Sequence, residues 1–312
     1  MYAIETRSLK KHFITGKEKT KAVDGIDLKI EKNQIYGLLG PNGAGKTTTL
    51  YMLSTLLSPT SGKASVLGFD VVKEKKNVRE KVNICIGASS FYWYMKPPEV
   101  LDYFGRLYGI KKDERRLRIN TLIHDLEMEE FKDKQIMELS TGMIQKVALA
   151  KSMLNNPEVL FLDEPTNGLD VEVAMSVRKY ILSLVKERET TVILTSHHLN
   201  EVEELCKKIA IIDQGVIVSE GKIREIKKRL DLPDFVKFYL SDYKNLGFLT
   251  KMKDVMNYKV EDGLVVQTKS GLETARKIES VLKSKGIKVN DTEIRKASLE
   301  EAFLKIVGGE KD

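Results

Sequence analysis

The eight residues GPNGAGKT, at positions 40–47, constrain the fold more strongly than any other part of this chain. They fit the pattern G-x-x-x-x-G-K-[ST], follow the short apolar run QIYGLLG at 34–40, and precede the helix-like run TTLYMLSTLL at 48–57. Glycines let the backbone amides turn inward, so a ring of N–H groups can hold phosphate oxygens at the start of a helix. The order of strand, loop and helix therefore predicts a phosphate-binding loop, and not a glycine turn before an ordinary helix.

Two further buried runs, EVLFLD at 158–163 and TVILTS at 191–196, are separated by segments with helical spacing. This alternation is typical of a parallel sheet with helices on both faces. The alternating run AVDGIDLKI at 22–30 favours an antiparallel strand, and the charged stretch 99–156 favours helices. We therefore predict an α/β fold: a P-loop NTPase core with a mostly parallel sheet, an antiparallel β subdomain, and a helical insertion at about 89–156.

The sequence pattern changes near Pro233, which marks a predicted linker. The tail contains strand-like and helix-like runs and a candidate hairpin at Asp262–Gly263. Ser298 begins SLEE, a capping box that predicts a last short helix. We therefore predict two domains, a first at 1–230 and a small α+β accessory domain at 231–312.

The composition limits the classes of protein to consider. The chain is 42% hydrophobic and 31% charged, which is typical of a globular protein. No apolar run approaches the roughly 20 residues of a membrane span, and the first residues lack the apolar core of a secretion signal. Cys85 and Cys206 lie in apolar contexts, so we expect two reduced core thiols, and no zinc pattern is present.

The net charge of +7 indicates an acidic partner, for which a nucleotide, a phospholipid surface and a nucleic acid all qualify. Basic and acidic residues nearly balance after residue 230, so the first part of the chain carries most of the excess. The basic run KIREIKKRL at 222–230 is interpreted as a solvated helix face.

Two carboxylates end the buried run VLFLDEP at 159–165. At the carboxyl edge of a parallel sheet they would lie near phosphates held by the loop. Asp163 would hold Mg²⁺ through water, and Glu164 would orient and deprotonate an attacking water. On the loop, Lys46 would reach the β- and γ-phosphates, and the hydroxyl of Thr47 would ligate Mg²⁺.

The stretch LSTGMIQK at 139–146 contains a natural helix N-cap, Ser140, followed by apolar residues at helical spacing. We expect a capped amphipathic helix that ends near Pro157. The start of that helix, with Ser140 and Gly142, is a second candidate anion site.

With these motifs in this order, the chain resembles the ATP-binding cassette (ABC) ATPases. The resemblance covers residues 1 to about 230 and includes GLD at 168–170 and TSHH at 195–198. The signature stretch departs from the family's LSGGQ at Thr141 and Met143, in a form familiar from exporter cassettes. The resemblance implies ATP and Mg²⁺ as cofactors and ATP hydrolysis as the activity.

In that family two cassettes pair head to tail. The resemblance therefore implies that Ser140, Thr141 and Gly142 would contact the γ-phosphate held by the other subunit's Lys46. Asp170 would cross the dimer interface, and the partner is expected to be an identical subunit.

The resemblance also implies that His197 contacts the γ-phosphate, although a lone histidine is often structural. His198 is expected to be solvated, and Phe13 would stack on adenine or belong to the core. The nucleotide-binding residues predicted in this way are Phe13, Gly40, Pro41, Asn42, Gly43, Ala44, Gly45, Lys46, Thr47 and Thr48.

The stretch ICIGASSFYWYMKPP at 84–98 carries four consecutive aromatic residues: Phe91, Tyr92, Trp93 and Tyr94. The family has a glutamine just before this place, where this chain has Ala88, so Ser89, Ser90 or a water would complete the metal shell. Four consecutive aromatics cannot all face one core, so some are expected to be exposed. We predict that they dock the membrane subunit, with a role in the helical core as the alternative.

The main hypothesis is an ATPase subunit of an ABC transporter, peripheral at the cytoplasmic face of the membrane and bound to a separately encoded integral membrane permease. The end of the chain, ASLEEAFLKIVG at 297–308, resembles the drug- and polysaccharide-export branch, which favours export. The alternative is a nucleic-acid-associated ATPase of repair or translation, although no direct nucleic-acid contact is expected. A third hypothesis is a non-catalytic regulatory binder.

Overall fold

The structure is a computed structural model that describes residues 2–16, 18–87, 91–230 and 232–308. It divides into two compact units, Met1–Lys222 and Ile223–Asp312. Each unit has its own sheet structure and its own apolar core.

The first unit is built from ten strands and seven α-helices within its described residues. The strands are β1 (Tyr2–Thr15), β2 (Glu18–Glu31), β3 (Ile35–Leu39), β4 (Ser61–Val66), β5 (Phe69–Asp70), β6 (Val82–Ile86), β7 (Val159–Asp163), β8 (Thr191–Thr195), β9 (Lys208–Asp213) and β10 (Val216–Lys222). The helices are α1 (Lys46–Leu53), α2 (Lys75–Lys81), α3 (Pro97–Leu107), α4 (Lys112–Asp125), α5 (Thr141–Met153), α6 (Val171–Arg188) and α7 (Leu199–Leu205).

The central sheet has the strand order β10-β9-β3-β8-β7-β6. Strands β9, β3, β8, β7 and β6 are parallel, and β10 is an antiparallel edge strand. Every residue of β3 and β8 is buried, because both faces of these central strands are covered. On one face, Tyr36 and Ile193 share an apolar core with residues of α1 and of the strands β1, β2 and β4. The order places β8 between β3 and β7, so the carboxyl ends of these three strands meet at one edge.

A second, antiparallel sheet has the order β2-β1-β4-β5. In β2 the side chains of Ile26, Leu28 and Ile30 are buried and alternate with exposed ones, as the period-two pattern of the sequence predicts. Between β6 and β7 the chain forms α3, α4, a 3₁₀ turn at Ile136–Glu138 and α5. The predicted fold, a mostly parallel core with an antiparallel β subdomain and a helical insertion, is therefore confirmed.

The second unit is a small α+β domain. Its elements are α8 (Ile223–Arg229), β11 (Asp234–Leu240), a 3₁₀ helix (Leu246–Lys251), β12 (Val255–Glu261), β13 (Gly263–Thr268), α9 (Gly271–Ser284), β14 (Val289–Arg295) and α10 (Leu299–Gly308). The sheet order is β12-β13-β11-β14, and all neighbouring strands are antiparallel. Its core joins Phe238 and Val266 of the sheet to Ile278 and Leu282 of α9.

The boundary between the units differs from the predicted one after residue 230, because α8 belongs to the second unit. Helix α8 contacts α10, and the Lys305 ammonium of α10 donates a hydrogen bond of 2.7 Å to the carbonyl of Leu230. The basic run at 222–230 is also more than a solvated face, since Ile223 and Ile226 are buried.

Cys85 and Cys206 are free and buried, as predicted, and burial raises the pKa of the Cys85 thiol to about 12. Among the helices of the described residues, none is long and apolar enough to cross a membrane.

Candidate functional site

In the loop between β3 and α1, two positions lie so close to neighbouring backbone atoms that only glycine fits there. Gly45, just before α1, has a φ of 103°, in the left-handed region. A Cβ at Gly45 would lie 2.2 Å from the carbonyl oxygen of Ala22, and a Cβ at Gly40 would lie 2.1 Å from that of Ile212. Glycine is therefore required at both positions, because the loop packs directly against the backbone of β2 and of β9.

Lys46 begins α1 and is buried within this loop. Its ammonium donates to the carbonyl oxygens of Gly40 and Pro41, at 2.7 and 3.0 Å. Burial lowers the pKa of Lys46, and the nearby carboxylates of Glu164 and Asp163 oppose that shift. The one ammonium of the loop is thus held next to both carboxylates at the edge of the central sheet.

Thr47, Asp163 and Thr195 form one hydrogen-bond network. The Thr47 hydroxyl donates to both carboxylate oxygens of Asp163, at 3.1 and 2.9 Å. The Thr195 hydroxyl donates to Asp163 Oδ1 at 2.6 Å. Because β8 lies between β3 and β7, Thr195 at its carboxyl end reaches Asp163 on the neighbouring strand.

Glu164 follows β7 with a φ of 50°, a left-handed conformation that a non-glycine residue adopts at a cost of about 1 kcal/mol or more. Its backbone N–H donates to the Thr195 hydroxyl at 3.0 Å, which holds this conformation. The Glu164 carboxylate accepts a hydrogen bond from the side-chain amide of Asn167 at 2.8 Å, and Oε2 lies 3.2 Å from Nδ1 of His197. The carboxylate is therefore oriented by two side chains at the sheet edge.

The signature stretch and the segment around Asp170 form two helix starts that pack together. The Ser140 hydroxyl accepts from the N–H of Met143 at 3.3 Å, which confirms the predicted N-cap of α5. The Asp170 carboxylate caps α6 by accepting from the N–H of Val173 at 2.9 Å. A Cβ at Gly142 would lie 3.0 Å from Cγ1 of Val173, so this glycine allows the two helix starts to approach closely.

Within the described part of the chain, no hydrogen bond or ion pair joins the signature residues Ser140, Thr141 and Gly142 to the phosphate loop at 40–47. The structure thus brings together the predicted catalytic and metal-binding residues Lys46, Thr47, Asp163, Glu164 and His197. The signature residues form a separate cluster with Asp170.

Phe13 lies on β1 and is 40% exposed, so it is not part of a closed core. The Lys11 ammonium is 5.2 Å from the centre of its ring. His198 is exposed, as expected, and its ring lies 4.1 Å from that of His197. Ala88, Ser89 and Ser90, the predicted replacement for the family's glutamine, lie outside the described residues.

The four consecutive aromatics divide between core and surface. Phe91 is buried against Phe104 in an edge-to-face contact, with ring centres 6.3 Å apart. Tyr92, Trp93 and Tyr94 are 66%, 69% and 78% exposed. They line a groove of about 690 Å³ in which the other lining residues are Phe91, Tyr103, Phe104 and Leu107.

Sequence analysis missed several residues that this geometry brings to the site. Thr195 and Asn167 hold Asp163 and Glu164, and Tyr103 and Phe104 of α3 complete the aromatic groove. A signal existed for Thr195, since it is a polar residue at the end of an apolar strand, at the same sheet edge as Asp163. No local signal marks the other three.

The comparisons with known proteins agree with this geometry. Residues 23–167 match the family model described as ABC transporter. The chain is 33% identical over 290 residues to the bacitracin transport ATP-binding protein BcrA of Bacillus licheniformis, and the aligned region covers 93% of each chain. It is also 33% identical over 294 residues to the daunorubicin resistance ATP-binding protein DrrA3 of Streptomyces coeruleorubidus. This aligned region covers 93% of this chain and 92% of the relative.

Solved structures show the same fold. The dimeric, post-hydrolysis structure of the ATP-binding cassette MJ0796 with ADP and Pi superposes with a TM-score of 0.65 at 23% identity, over 70% of this chain and 98% of that one. The phosphate loop, the paired carboxylates and the signature stretch all lie within the part of the chain that the two relatives share with it. The chain therefore belongs to the ABC transporter family, as one of its ATP-binding and ATP-hydrolysing subunits.

Proposed function

We propose that this subunit powers the export of an antibiotic-like compound through a separate membrane permease. The observation that carries the proposal is that Lys46, Thr47, Asp163 and Glu164 lie together at one edge of the central sheet. This arrangement can bind and hydrolyse ATP. Two of the relatives that match the chain over nine-tenths of its length are named for bacitracin transport and daunorubicin resistance. The alternative of a nucleic-acid-associated ATPase has no such support.

The proposal is tested by deleting the gene and measuring growth in bacitracin and in daunorubicin. We expect greater sensitivity to at least one compound of these classes, restored by the wild-type chain and not by a Lys46→Ala variant. Unchanged sensitivity and unchanged drug accumulation across both classes would contradict export of an antibiotic-like compound.

We propose that the subunit uses Mg²⁺ together with ATP. The Thr47 hydroxyl and the Asp163 carboxylate lie 2.9 Å apart and supply the oxygen ligands that Mg²⁺ prefers. The cation would neutralise phosphate charge next to Lys46. The Glu164 carboxylate, oriented by Asn167 and His197, would take the proton of the attacking water.

The Thr195→Val variant tests the role of Thr195 as a positioning residue for this metal site. Loss of its hydroxyl removes one of the two donors to Asp163 Oδ1 and an acceptor from the backbone N–H of Glu164. We expect the Mg²⁺ concentration needed for half-maximal ATP binding to rise about tenfold, as for other partners of metal ligands. The control is Thr191→Val at the other end of β8, where the buried hydroxyl accepts from the N–H of Asn33. Equal Mg²⁺ requirements in the two variants would contradict this role.

We infer that two copies of the cassette pair head to tail, so that Ser140 and Gly142 of one copy complete the site around Lys46 of the other. Two exposed helix starts, capped by Ser140 and Asp170, form one cluster and would present N–H groups to an anion. On the same chain this cluster makes no hydrogen bond or ion pair with the phosphate loop among the described residues.

We further propose that the aromatic groove docks a short helix of the permease, which would hold this subunit at the cytoplasmic face of the membrane. Exposed Tyr92, Trp93 and Tyr94 surround an apolar groove whose floor includes the buried Phe91. Large exposed aromatics around a concave surface are the usual anchors of protein interfaces. They follow β6, the strand next to β7 and its carboxylates, so a docked helix would lie near the catalytic edge.

We expect Trp93→Ala to weaken binding of the permease about thirtyfold, as for an interface anchor worth about 2 kcal/mol. ATP affinity of the isolated subunit should not change. The measurement is capture of the detergent-solubilised permease by the tagged subunit, and Tyr2→Ala, which removes an exposed aromatic from β1, is the matched control. Unchanged capture by Trp93→Ala would exclude the docking role.

A separate variant, Phe91→Ala, tests the division between core and surface. Its ring is buried against Phe104, so its removal should cost about 3–5 kcal/mol of unfolding free energy. Denaturant unfolding measures this loss, and Trp93→Ala should leave the same curve almost unchanged. Equal destabilisation by the two variants would show that Trp93 is also a core residue.

A further inference from the structure

Two short segments of the first unit each carry an excess of positive charge. Residues 73–81 contain five basic and two acidic side chains, a net +3, and residues 111–118 again contain five basic and two acidic ones, a net +3. None of these residues belongs to the nucleotide site described above.

The fold brings these two segments to the same groove. Helix α2 carries Lys75, Lys76 and Arg79, and α4 carries Arg118 on the opposite wall. The groove has a volume of about 720 Å³, and Tyr108 lines it between the two helices. Residues from two segments about thirty positions apart thus line one concave surface, which carries four cationic and two anionic side chains.

The two arginines of the groove are held in place. Arg79 donates to the hydroxyl and the carbonyl oxygen of Thr55, at 2.7 and 3.2 Å. Arg118 donates to the carbonyl oxygen of Leu154 at 2.5 Å and to the carboxylate of Glu114. Fixed guanidinium groups lose little conformational entropy when an anion binds, so the groove is preorganised for one.

The groove offers hydrogen-bond donors in excess of acceptors. Its two carboxylates belong to Glu80 and Glu114, and Glu114 is already paired with Arg118. The Tyr108 hydroxyl accepts from the side-chain amide of Asn83 at 3.1 Å, which leaves its proton available to donate. Arginine guanidinium groups, lysine ammonium groups and hydroxyl donors are the groups that bind phosphate oxygens in proteins.

We propose that this basic groove between α2 and α4 binds a phosphate-bearing ligand distinct from the ATP of the catalytic site. Its volume exceeds that of a single phosphate and suits a ligand with a further group, such as a lipid headgroup or a soluble diphosphate. The two sources share the chemistry of clustered phosphate oxygens, and the experiment below separates them.

The first arm measures binding of the full-length subunit to phosphatidylcholine vesicles with and without phosphatidylglycerol. The groove variant carries Lys76→Gln and Arg79→Gln, and the control variant carries Lys253→Gln and Lys296→Gln, which removes two exposed charges from the second unit. We expect the groove variant to bind the anionic vesicles about thirtyfold more weakly than wild type, from a loss of about fivefold per charge. The control should bind like wild type, and added salt should weaken all binding.

The second arm measures pyrophosphate binding by calorimetry in a Lys46→Ala background, which removes the lysine of the phosphate loop. Loss of pyrophosphate binding in the groove variant, without any vesicle preference, supports the soluble source. A second groove variant, Lys75→Gln with Lys76→Gln, leaves the bonds between Arg79 and Thr55 intact and is used if the first one fails to fold.

The proposal is overturned if the groove variants and the control behave alike in both arms. That includes the case in which the groove variants bind phosphate normally but lose capture of the permease, since the groove would then recognise a protein. Failure of the export hypothesis would leave both binding arms unaffected, so the two proposals fail independently.

Discussion

Replacing Glu164 with glutamine is expected to lower the rate of ATP hydrolysis by at least about a hundredfold while ATP binding is retained. Glutamine has nearly the same size, and its carbonyl oxygen can still accept the 2.8 Å hydrogen bond from Asn167. It cannot take a proton from water. The phosphate loop, including Lys46 and its bonds to Gly40 and Pro41, is unchanged by the substitution.

Turnover and ATP affinity of the purified variant separate the two effects, because loss of a base lowers the rate and leaves binding intact. The matched control is Glu189→Gln. Glu189 also has a left-handed backbone, with a φ of 54° against 50° for Glu164, so it reports any cost of glutamine in that conformation. A wild-type rate of hydrolysis in Glu164→Gln would show that another group is the base.

The fold was predictable because its signals are local. The apolar runs of β3, β7 and β8, and the glycines between β3 and α1, specify a parallel sheet with a loop at its carboxyl edge. Ser298 shows how short such a signal can be: its backbone N–H donates to Glu301 at 2.7 Å, and its hydroxyl accepts from the N–H of Glu301 at 3.2 Å. The capping box read from four letters is present at the start of α10.

The contacts of Asp163 and Glu164 were only partly predictable, because they depend on strand order and on the turn after β7. Thr195 and Asp163 are neighbours only because β8 lies next to β7 in the sheet. Asn167 donates to the Glu164 carboxylate across a turn in which Glu164 has a left-handed backbone, and the sequence does not indicate that conformation.

The domain boundary and the basic groove were missed for a related reason. The run at 222–230 is basic, but its two isoleucines, Ile223 and Ile226, are buried in the second unit. The groove between α2 and α4 combines charges from two distant segments, so the net charge of +7 indicated an acidic partner without giving its place.

The Ser140→Arg variant is expected to reduce ATP hydrolysis about a hundredfold, although Ser140 makes no hydrogen bond or ion pair with the phosphate loop of its own chain among the described residues. In a head-to-tail dimer, the arginine would occupy the space of the γ-phosphate held by the partner's loop. The control is Ser298→Arg, which removes another N-cap serine, at a cost of about 0.5–2 kcal/mol, from the second unit. Equal activity of the two variants would mean that loss of a helix cap, and not a shared site, explains any defect.

Mixing Ser140→Arg with Lys46→Ala distinguishes a shared site from a site within one chain. In the mixed dimer, the intact Lys46 of the first variant faces the intact Ser140 of the second, and the other site carries both defects. Each variant alone has no intact site, so any recovery must come from heterodimers. Random pairing of equal amounts makes half of the dimers mixed, and one intact site in each restores about a quarter of the wild-type rate. Heterodimers purified through two different tags should hold one ATP each and hydrolyse it. If such heterodimers neither retain ATP nor turn it over, the site is not composed of Lys46 from one subunit and Ser140 from the other.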